Sequence, residues 1–456
     1  MTAAERFAAH ALGVRFADLP EVAREHAAVF ILDSLGVGIA GSSVEGGDGL
    51  LRVASSWGQP VASVWGRRAK VSAPAAAFLN AWQMHNQEYD CLHEGAVVHA
   101  LASVLPAALA VAEQCGGVSG AELITAVAVG ADIAAGLGLA ARAGFRFFRP
   151  ATAGGFGAVA AAARLLGLDR QRLQAAFAWQ LAQVSGTMQA HAEGSAMLPV
   201  QVAFNARAAV QSCELAALDF EPAREVFEGP YGYLALFEGA FDLAPVLESL
   251  GRDWRIAAFS HKPFPAGRAT HGGIEGAMAL QAEQGFAWQD VDRVVVSAPP
   301  LIVRLVGRAL ASVPDATSAR LCMGYAVAKV LQHGRLDLAD FRGEALNDPV
   351  THALAARVET RDDGNPDPNA LAPQVVSVRL TDGTTVTWRC ETMLANPARR
   401  LARDQCLAKF HRCCDFAQVA LSPGAPARVV DAVEGLQAVD DVRAIAGLVS
   451  GAGSAG

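Results

Sequence analysis

Charge is scarce in this 456-residue chain: Asp, Glu, Lys and Arg together make up 18% of it, and tyrosine occurs four times. So few charges beside 52% apolar residues exclude a disordered chain or a long coiled coil. A net charge of −8 leaves no basic footprint, which argues against a nucleic-acid partner. None of the eight cysteines forms a Cys-x-x-Cys pair, so the spacing suits neither a disulfide frame nor a zinc knuckle and points to reduced thiols in the cytoplasm. Gly-x-Ser-x-Gly is absent, and no cysteine lies in a nucleophile motif. The first six residues, Met1 to Arg6, lack the basic and apolar regions of a signal peptide.

What is present is apolar. Residues 121–144 could span a bilayer by hydropathy, but Glu122, Asp132, Arg142 and several glycines mark a tightly packed core helix, so no membrane partner is expected. A mean hydropathy of +0.26 with few charges suggests surface hidden in a homo-oligomer.

Up to about residue 250 the pattern is helix after helix. Apolar residues recur at three- and four-residue spacing over 22–37, 75–88, 100–114, 120–140, 154–166, 170–188 and 199–218. The texture then changes. Residues 291–297 form a β-branched run, and 375–380 and 384–389 flank Thr381-Asp382-Gly383, a hairpin signal. Helical stretches 269–283 and 318–332 accompany them, and helix returns over 396–414 and 427–448. The expected fold is mainly α: a discontinuous all-helical domain, 1–255 and 396–456, interrupted by a smaller α+β domain, 256–395.

Three islands carry polar chemistry. Residues 80–99 hold three of the eleven histidines and three carboxylates directly before an apolar helix. Their spacing is not that of a compact metal site: Glu94 follows His93, but Gly95-Ala96-Val97 breaks His-Glu-x-x-His, and no metal is expected. Residues 259–271 place Lys262 and Arg268 at the domain junction, where cations suit an anionic substrate, most simply a carboxylate. Residues 146–157 put glycines before a helix start, an anion-binding candidate, without a dinucleotide or P-loop pattern.

In this order the segments resemble the MmgE/PrpD family of 2-methylcitrate dehydratases, cis-aconitate decarboxylases and iminodisuccinate epimerases. The resemblance rests on Leu32-Asp33-Ser34-Leu35-Gly36, the island from His85 to His99, the Gly-rich segment 154–168, Lys262-Pro263-Phe264-Pro265, and Ala319-Arg320 followed by Tyr325-Ala326-Val327-Ala328. It implies a helical domain with an α+β lid-like domain, a homodimer, a small carboxylate substrate and no obligatory cofactor.

The family's acidic motif typically reads Asp-aromatic-Asp-Asp-Thr-His with a later His. Glu88-Tyr89-Asp90-Cys91-Leu92-His93 and His99 stand in its place. Where members carry a His before the Pro of the Gly-rich segment, this chain has Arg149, and a Lys-Pro-Leu-His-like stretch is replaced by Leu198-Pro199-Val200-Gln201. Arginine cannot act as acid or base near neutrality, but it clamps carboxylates.

The resemblance therefore implies His99 as acid/base, Glu88 or Asp90 tuning a neighbouring imidazole, Lys262 stabilising developing charge, and Tyr325 donating to a leaving hydroxyl. Substrate contacts are expected from His93, Arg149, Gln201, Arg268 and His271. Dehydration of a 2-methylcitrate-like hydroxy acid is the first reading. Epimerisation or decarboxylation of a related carboxylate, and a non-catalytic paralogue, are the alternatives.

Overall fold

The computed structural model describes residues 1–218 and 220–451. Helices hold 56% of it and the sheets are small, so the chain is mainly α. At its centre Gly120–Ala140, long and apolar enough to cross a membrane, instead has 18 of its 21 residues buried inside the fold. Around it pack Leu101–Gln114, Arg149–Leu165 and, one layer further out, Ala73–His85 and Leu198–Leu215. Alanine and glycine make this closeness possible. A Cβ on Gly157 would meet the Gly130 carbonyl at 2.3 Å, so the Arg149–Leu165 helix lies backbone to backbone on its neighbour. The helix begins at Arg149, five residues before the expected start, and the Gly-rich segment is therefore interior helix that serves packing and not an anion-binding turn. Gly36-x-Gly38-x-x-Gly41, the spacing of a dinucleotide fingerprint, likewise lies inside the Glu21–Gly41 helix against Trp65 and Gln83.

The α+β part has its own core. Strands β3 (Val291–Ala298), β4 (Val358–Asp362), β5 (Gln374–Leu380) and β6 (Thr385–Cys390) form a sheet in the order β4-β3-β5-β6. β3 and β4 run parallel; the other pairs are antiparallel, with the β5–β6 hairpin turning at Asp382-Gly383. Alternation puts Val294, Val296, Val376 and Val378 inward, and an irregularity between Val291 and Arg293 lets Val291 face inward as well. His271–Gln284 lies on that face, so close that a Cβ on Gly276 would meet Val376 at 2.5 Å. Strand β4 and the two-stranded hairpin β1 (Ala62–Val64) with β2 (Ala69–Val71) had no counterpart among the expected elements.

Several helices stop early for local reasons. Residues 170–188 are helical only as Arg170–Leu181, and beyond them Gly186 takes φ +120°, which a side chain resists. The stretch 427–448 is two helices, Ala425–Glu434 and Arg443–Ser450, the second preceded by Asp441, whose carboxylate accepts the Arg443 amide. The last long helix starts at Arg403, because Asn396-Pro397 makes a turn after Ala395 at φ +68°. Residues 318–332 divide into Ala316–Arg320 and Met323–His333, and at the break the Arg320 carbonyl accepts the Gly267 amide at 3.0 Å. Phe410, Val429, Val433, Ile445 and Val449 from the C-terminal helices share one apolar cluster with the helices before residue 250.

Candidate active site

The Ala73–His85 helix ends at His85, and the chain leaves it through Glu88 at φ +50°. A non-glycine residue in the left-handed region costs about 1–3 kcal/mol, so the turn is held by what surrounds it. It aims three side chains at one buried point. Asp90 Oδ2 accepts from His85 Nδ1 and from His99 Nδ1, both at 2.9 Å. Lys262 Nζ donates to Glu88 Oε2 at 2.9 Å and stands 3.9 Å from Asp90 Oδ1. The two imidazoles meet edge to face with centroids 4.9 Å apart. With His85 protonated and His99 neutral, Glu88, Asp90, His85 and Lys262 cancel to zero net charge.

The electrostatics favour that assignment. Burial alone would lower His85, but Asp90 and Glu88 reverse this and raise it above the ordinary histidine value. For His99 burial prevails over Asp90, helped by Lys262 and His85, and its value falls. Against burial, Lys262 and the two imidazoles bring Glu88 down to about 2, and the imidazoles hold Asp90 well below its usual range. His99 thus donates Nδ1–H to Asp90 and keeps Nε2 without a protein partner.

His99 and Glu88 line a narrow cleft of about 50 Å³ whose other walls are mostly apolar: Val97, Phe145, Phe148, Met188, Leu305 and Leu371. His191 and Arg268 are its further polar groups. Burial holds His191 at about 4, so it too is neutral. A bridge between Leu92 and Ser260 fastens the loop to the Lys262 segment, and one between His93 and Val98 closes the loop on itself.

Expected substrate contacts are placed differently. Arg268 reaches the cleft, but Glu94 Oε1 takes its Nε and Nη2 at 3.0 and 2.7 Å, and Nη1 donates to the Leu394 carbonyl at 2.9 Å. His271 gives one nitrogen to the Ala266 carbonyl and the other to Arg268, so it orients that guanidinium. Arg149 is buried in an ion pair with Glu238 at 2.9 Å and donates to the Ala96 carbonyl at 3.0 Å; it braces the loop from behind, with its guanidinium turned to protein acceptors. His93 accepts the Ala96 amide on Nδ1 and faces a separate groove beside Trp254 and Arg255. Gln201 accepts the Thr187 amide at 2.7 Å, outside the cleft. Tyr325 lies in the α+β core and donates its hydroxyl to the carbonyls of Asp340 and Ala345. Those acceptors hold its proton away from the reacting centre.

Three participants went unselected in the sequence. His85 stands within the 80–99 island, and its position five residues before Asp90 is the signal that was available. Glu94 gathers Ser260 Oγ at 2.6 Å, Arg268 and Asn396 Nδ2 at 3.0 Å, partners up to 302 residues away that no local pattern reveals. His191 is a lone histidine without a flanking motif.

His85, Asp90 and His99 bring ligand-capable atoms within 4.8 Å of one another, so the site must be weighed as a metal centre. The donor set fits poorly. Both Nδ1 atoms carry protons toward Asp90, and the Lys262 ammonium already supplies the cation beside it.

A profile of the MmgE/PrpD N-terminal domain matches residues 5–246, and one of the MmgE/PrpD C-terminal domain matches residues 264–420. Cis-aconitate decarboxylase of Mus musculus is 26% identical over 468 residues, covering 98% of this chain and 93% of the relative. The Homo sapiens cis-aconitate decarboxylase is also 26% identical, covering 98% and 94%. Cis-aconitate decarboxylase-like protein oryM of Aspergillus oryzae is 27% identical, covering 95% and 94%.

Proposed function

The chain belongs to the MmgE/PrpD family, and on that footing we propose that it is a lyase that decarboxylates a small unsaturated tricarboxylate of the cis-aconitate kind, using its own side chains alone. The observation that carries this reading is the Asp90-bridged imidazole pair: one proton-transfer atom, His99 Nε2, turned to an otherwise apolar cleft. In the proposed step the carbon–carboxylate bond breaks and CO2 leaves. The electron pair stays conjugated with a remaining carboxylate and is closed by one proton from His99 Nε2–H, which solvent reloads. A polyanion entering the cleft raises the His99 pKa, so the proton is taken up on binding. Lys262 stabilises the charge that develops.

Dehydration of a 2-methylcitrate-like acid is the second reading. It is favoured by the neutral resting state of His99, which suits a base that abstracts an α-proton. Against it stands the placement of Tyr325, which leaves the departing hydroxide without that acid.

Proton NMR in D2O with cis-aconitate, 2-methylcitrate and iminodisuccinate separates these outcomes. The expected result is CO2 release from cis-aconitate with one deuterium in the product. An olefin formed from 2-methylcitrate makes the protein a dehydratase, and exchange without bond loss an epimerase. Either result overturns the decarboxylase reading.

We further propose that residues 1–255 and 396–456 act as one domain around the 256–395 insert, supported by the apolar cluster their helices share. A cytoplasmic homodimer fits the eight unpaired cysteines and the exposed Trp57 and Phe204 flanking Arg207. Light scattering of the purified protein tests the dimer.

A further inference from the structure

Five arginine side chains are buried among the described residues. Four of them meet a carboxylate: Arg67 meets Asp48, Arg149 Glu238, Arg255 Asp132 and Arg268 Glu94. Arg320 does not. It is 1% exposed, its Nε and Nη1 have no hydrogen-bond acceptor, and its guanidinium rests over the Phe341 ring at 4.6 Å. A buried cation left this way is costly, and native proteins pair such groups with an anion.

The position of Arg320 says where the anion comes from. Its carbonyl holds the Gly267 amide at the break between two helices, and Gly267 and Leu321 both line the cleft with His99 and Glu88. Among nearby carboxylates Glu88 attracts it most, ahead of Asp315, but neither is hydrogen-bonded to it and Glu88 Oε2 is already taken by Lys262. Burial, with repulsion from Arg342, pulls Arg320 down to about 9, still charged at neutral pH.

We infer that Arg320 is the receptor for a substrate carboxylate remote from the reacting carbon, and so selects polycarboxylates over monocarboxylates. This deepens the carboxylate reading above and rests on it. Such a group is pre-organised for binding at the expense of the empty protein. An incoming carboxylate supplies the missing charge-assisted hydrogen bonds.

The test uses the full-length enzyme, Arg320→Met, Arg320→Lys and a His99→Asn control. Propane-1,2,3-tricarboxylate serves as a non-reacting probe and acetate as a monocarboxylate. In Arg320→Met the probe binds about 10- to 100-fold more weakly. KM for the reacting tricarboxylate rises by a similar factor with kcat less affected, and the ligand-free melting temperature is unchanged or higher. Arg320→Lys recovers part of the affinity, acetate binding does not change, and His99→Asn binds the probe normally without turnover.

A lower melting temperature with unchanged probe affinity overturns the inference and makes Arg320 structural. So does failure of both Arg320 variants to fold. Absence of tricarboxylate binding in the wild type removes the carboxylate reading and the inference with it. Wild-type binding that Arg320→Met retains removes the inference alone.

Discussion

Replacing Asp90 with Asn isolates the charge at the centre of the site while nearly preserving its shape. Asp90 Oδ2 accepts two N–H groups at 2.9 Å, one from each imidazole, in a fully buried position. A hydrogen bond to a charged group contributes about 1.5–3 kcal/mol. The amide oxygen can still accept both N–H groups, but it carries no charge, and in that orientation its NH2 faces the Lys262 ammonium, which lies 3.9 Å from Asp90 Oδ1. The imidazolium that His99 must become to protonate the product is then no longer stabilised. Loss of a positioned acid/base group costs 10²- to 10⁴-fold, or about 3–5 kcal/mol, comparable to the two bonds at stake. His85 also loses the anion that raises it. The wild-type kcat/KM should fall in two steps as pH rises, the first below the ordinary histidine value of about 6.5, where His99 gives up the proton it must deliver, and the second above it, where His85 deprotonates. Asp90→Asn should remove the upper step as well as lower the rate. The assay is initial rate of CO2 release from cis-aconitate across pH 5–9, with nitrogen-15 NMR of the histidines reporting tautomers. A variant within threefold of wild type, with the same pH profile, refutes the role of the bridge.

Arg149→Met should destabilise the fold by about 3–5 kcal/mol in chemical denaturation by leaving Glu238 buried and unpaired. KM of the protein that remains folded should change less than threefold, whereas a large KM change would return Arg149 to the substrate. Acid should unfold the protein well above carboxylate pKa values. Burial holds His93, His191 and His261 at about 4, so the unfolded chain takes up protons from about pH 6.5 downward and the native state does not until about pH 4. Stability is therefore full above pH 6.5 and lost as pH falls toward 4, by on the order of 3 kcal/mol per histidine. Raised His85 acts in the opposite sense, one group against these three and against His26, His99 and His271, which are lowered as well. Melting temperatures that do not change between pH 7 and 4.5 contradict this account. Exhaustive chelation should leave turnover intact; a loss restored by one added divalent metal would instead make His85, Asp90 and His99 ligands.

The legible parts of the sequence were those with local causes. Periodicity located the helices around Gly120–Ala140, and Asp-Gly located the β5–β6 turn, because those signals act within a few residues. Helix ends were misplaced where a distant group decides them. The break after Arg320 follows from the Gly267 amide, more than fifty residues upstream, and the start of Arg149–Leu165 from the fit of Gly157 on Gly130. The 80–99 island stood out as polar side chains before an apolar helix, which singled out Glu88, Asp90 and His99. Residue type alone could not separate a guanidinium that is free from one already paired. Arg149 and Arg268 looked available, while Arg320, whose nitrogens lack acceptors, was noted only as part of a motif.

The strained loop explains why a site built from a dozen residues depends on elements from both halves of the chain. Glu88 and Val97 both take φ +50°, and Val97 is β-branched, for which that conformation is more costly still. Four clamps hold them. Lys409, from the C-terminal Arg403–Cys414 helix, donates to the Tyr89 carbonyl at 2.9 Å and lies over the Tyr89 ring at 4.0 Å. Asp33 of the Glu21–Gly41 helix anchors that ammonium at 2.7 Å. Arg149 holds the Ala96 carbonyl, and Glu94 ties the loop to Ser260, Arg268 and Asn396. Each clamp comes from a different element, so relaxing Glu88 toward an ordinary conformation would break contacts with several of them at once. The strain is kept because it places Glu88 on Lys262 and leaves Asp90 free to bridge two imidazoles. An unstrained turn of the same length would have had to give up one of those contacts.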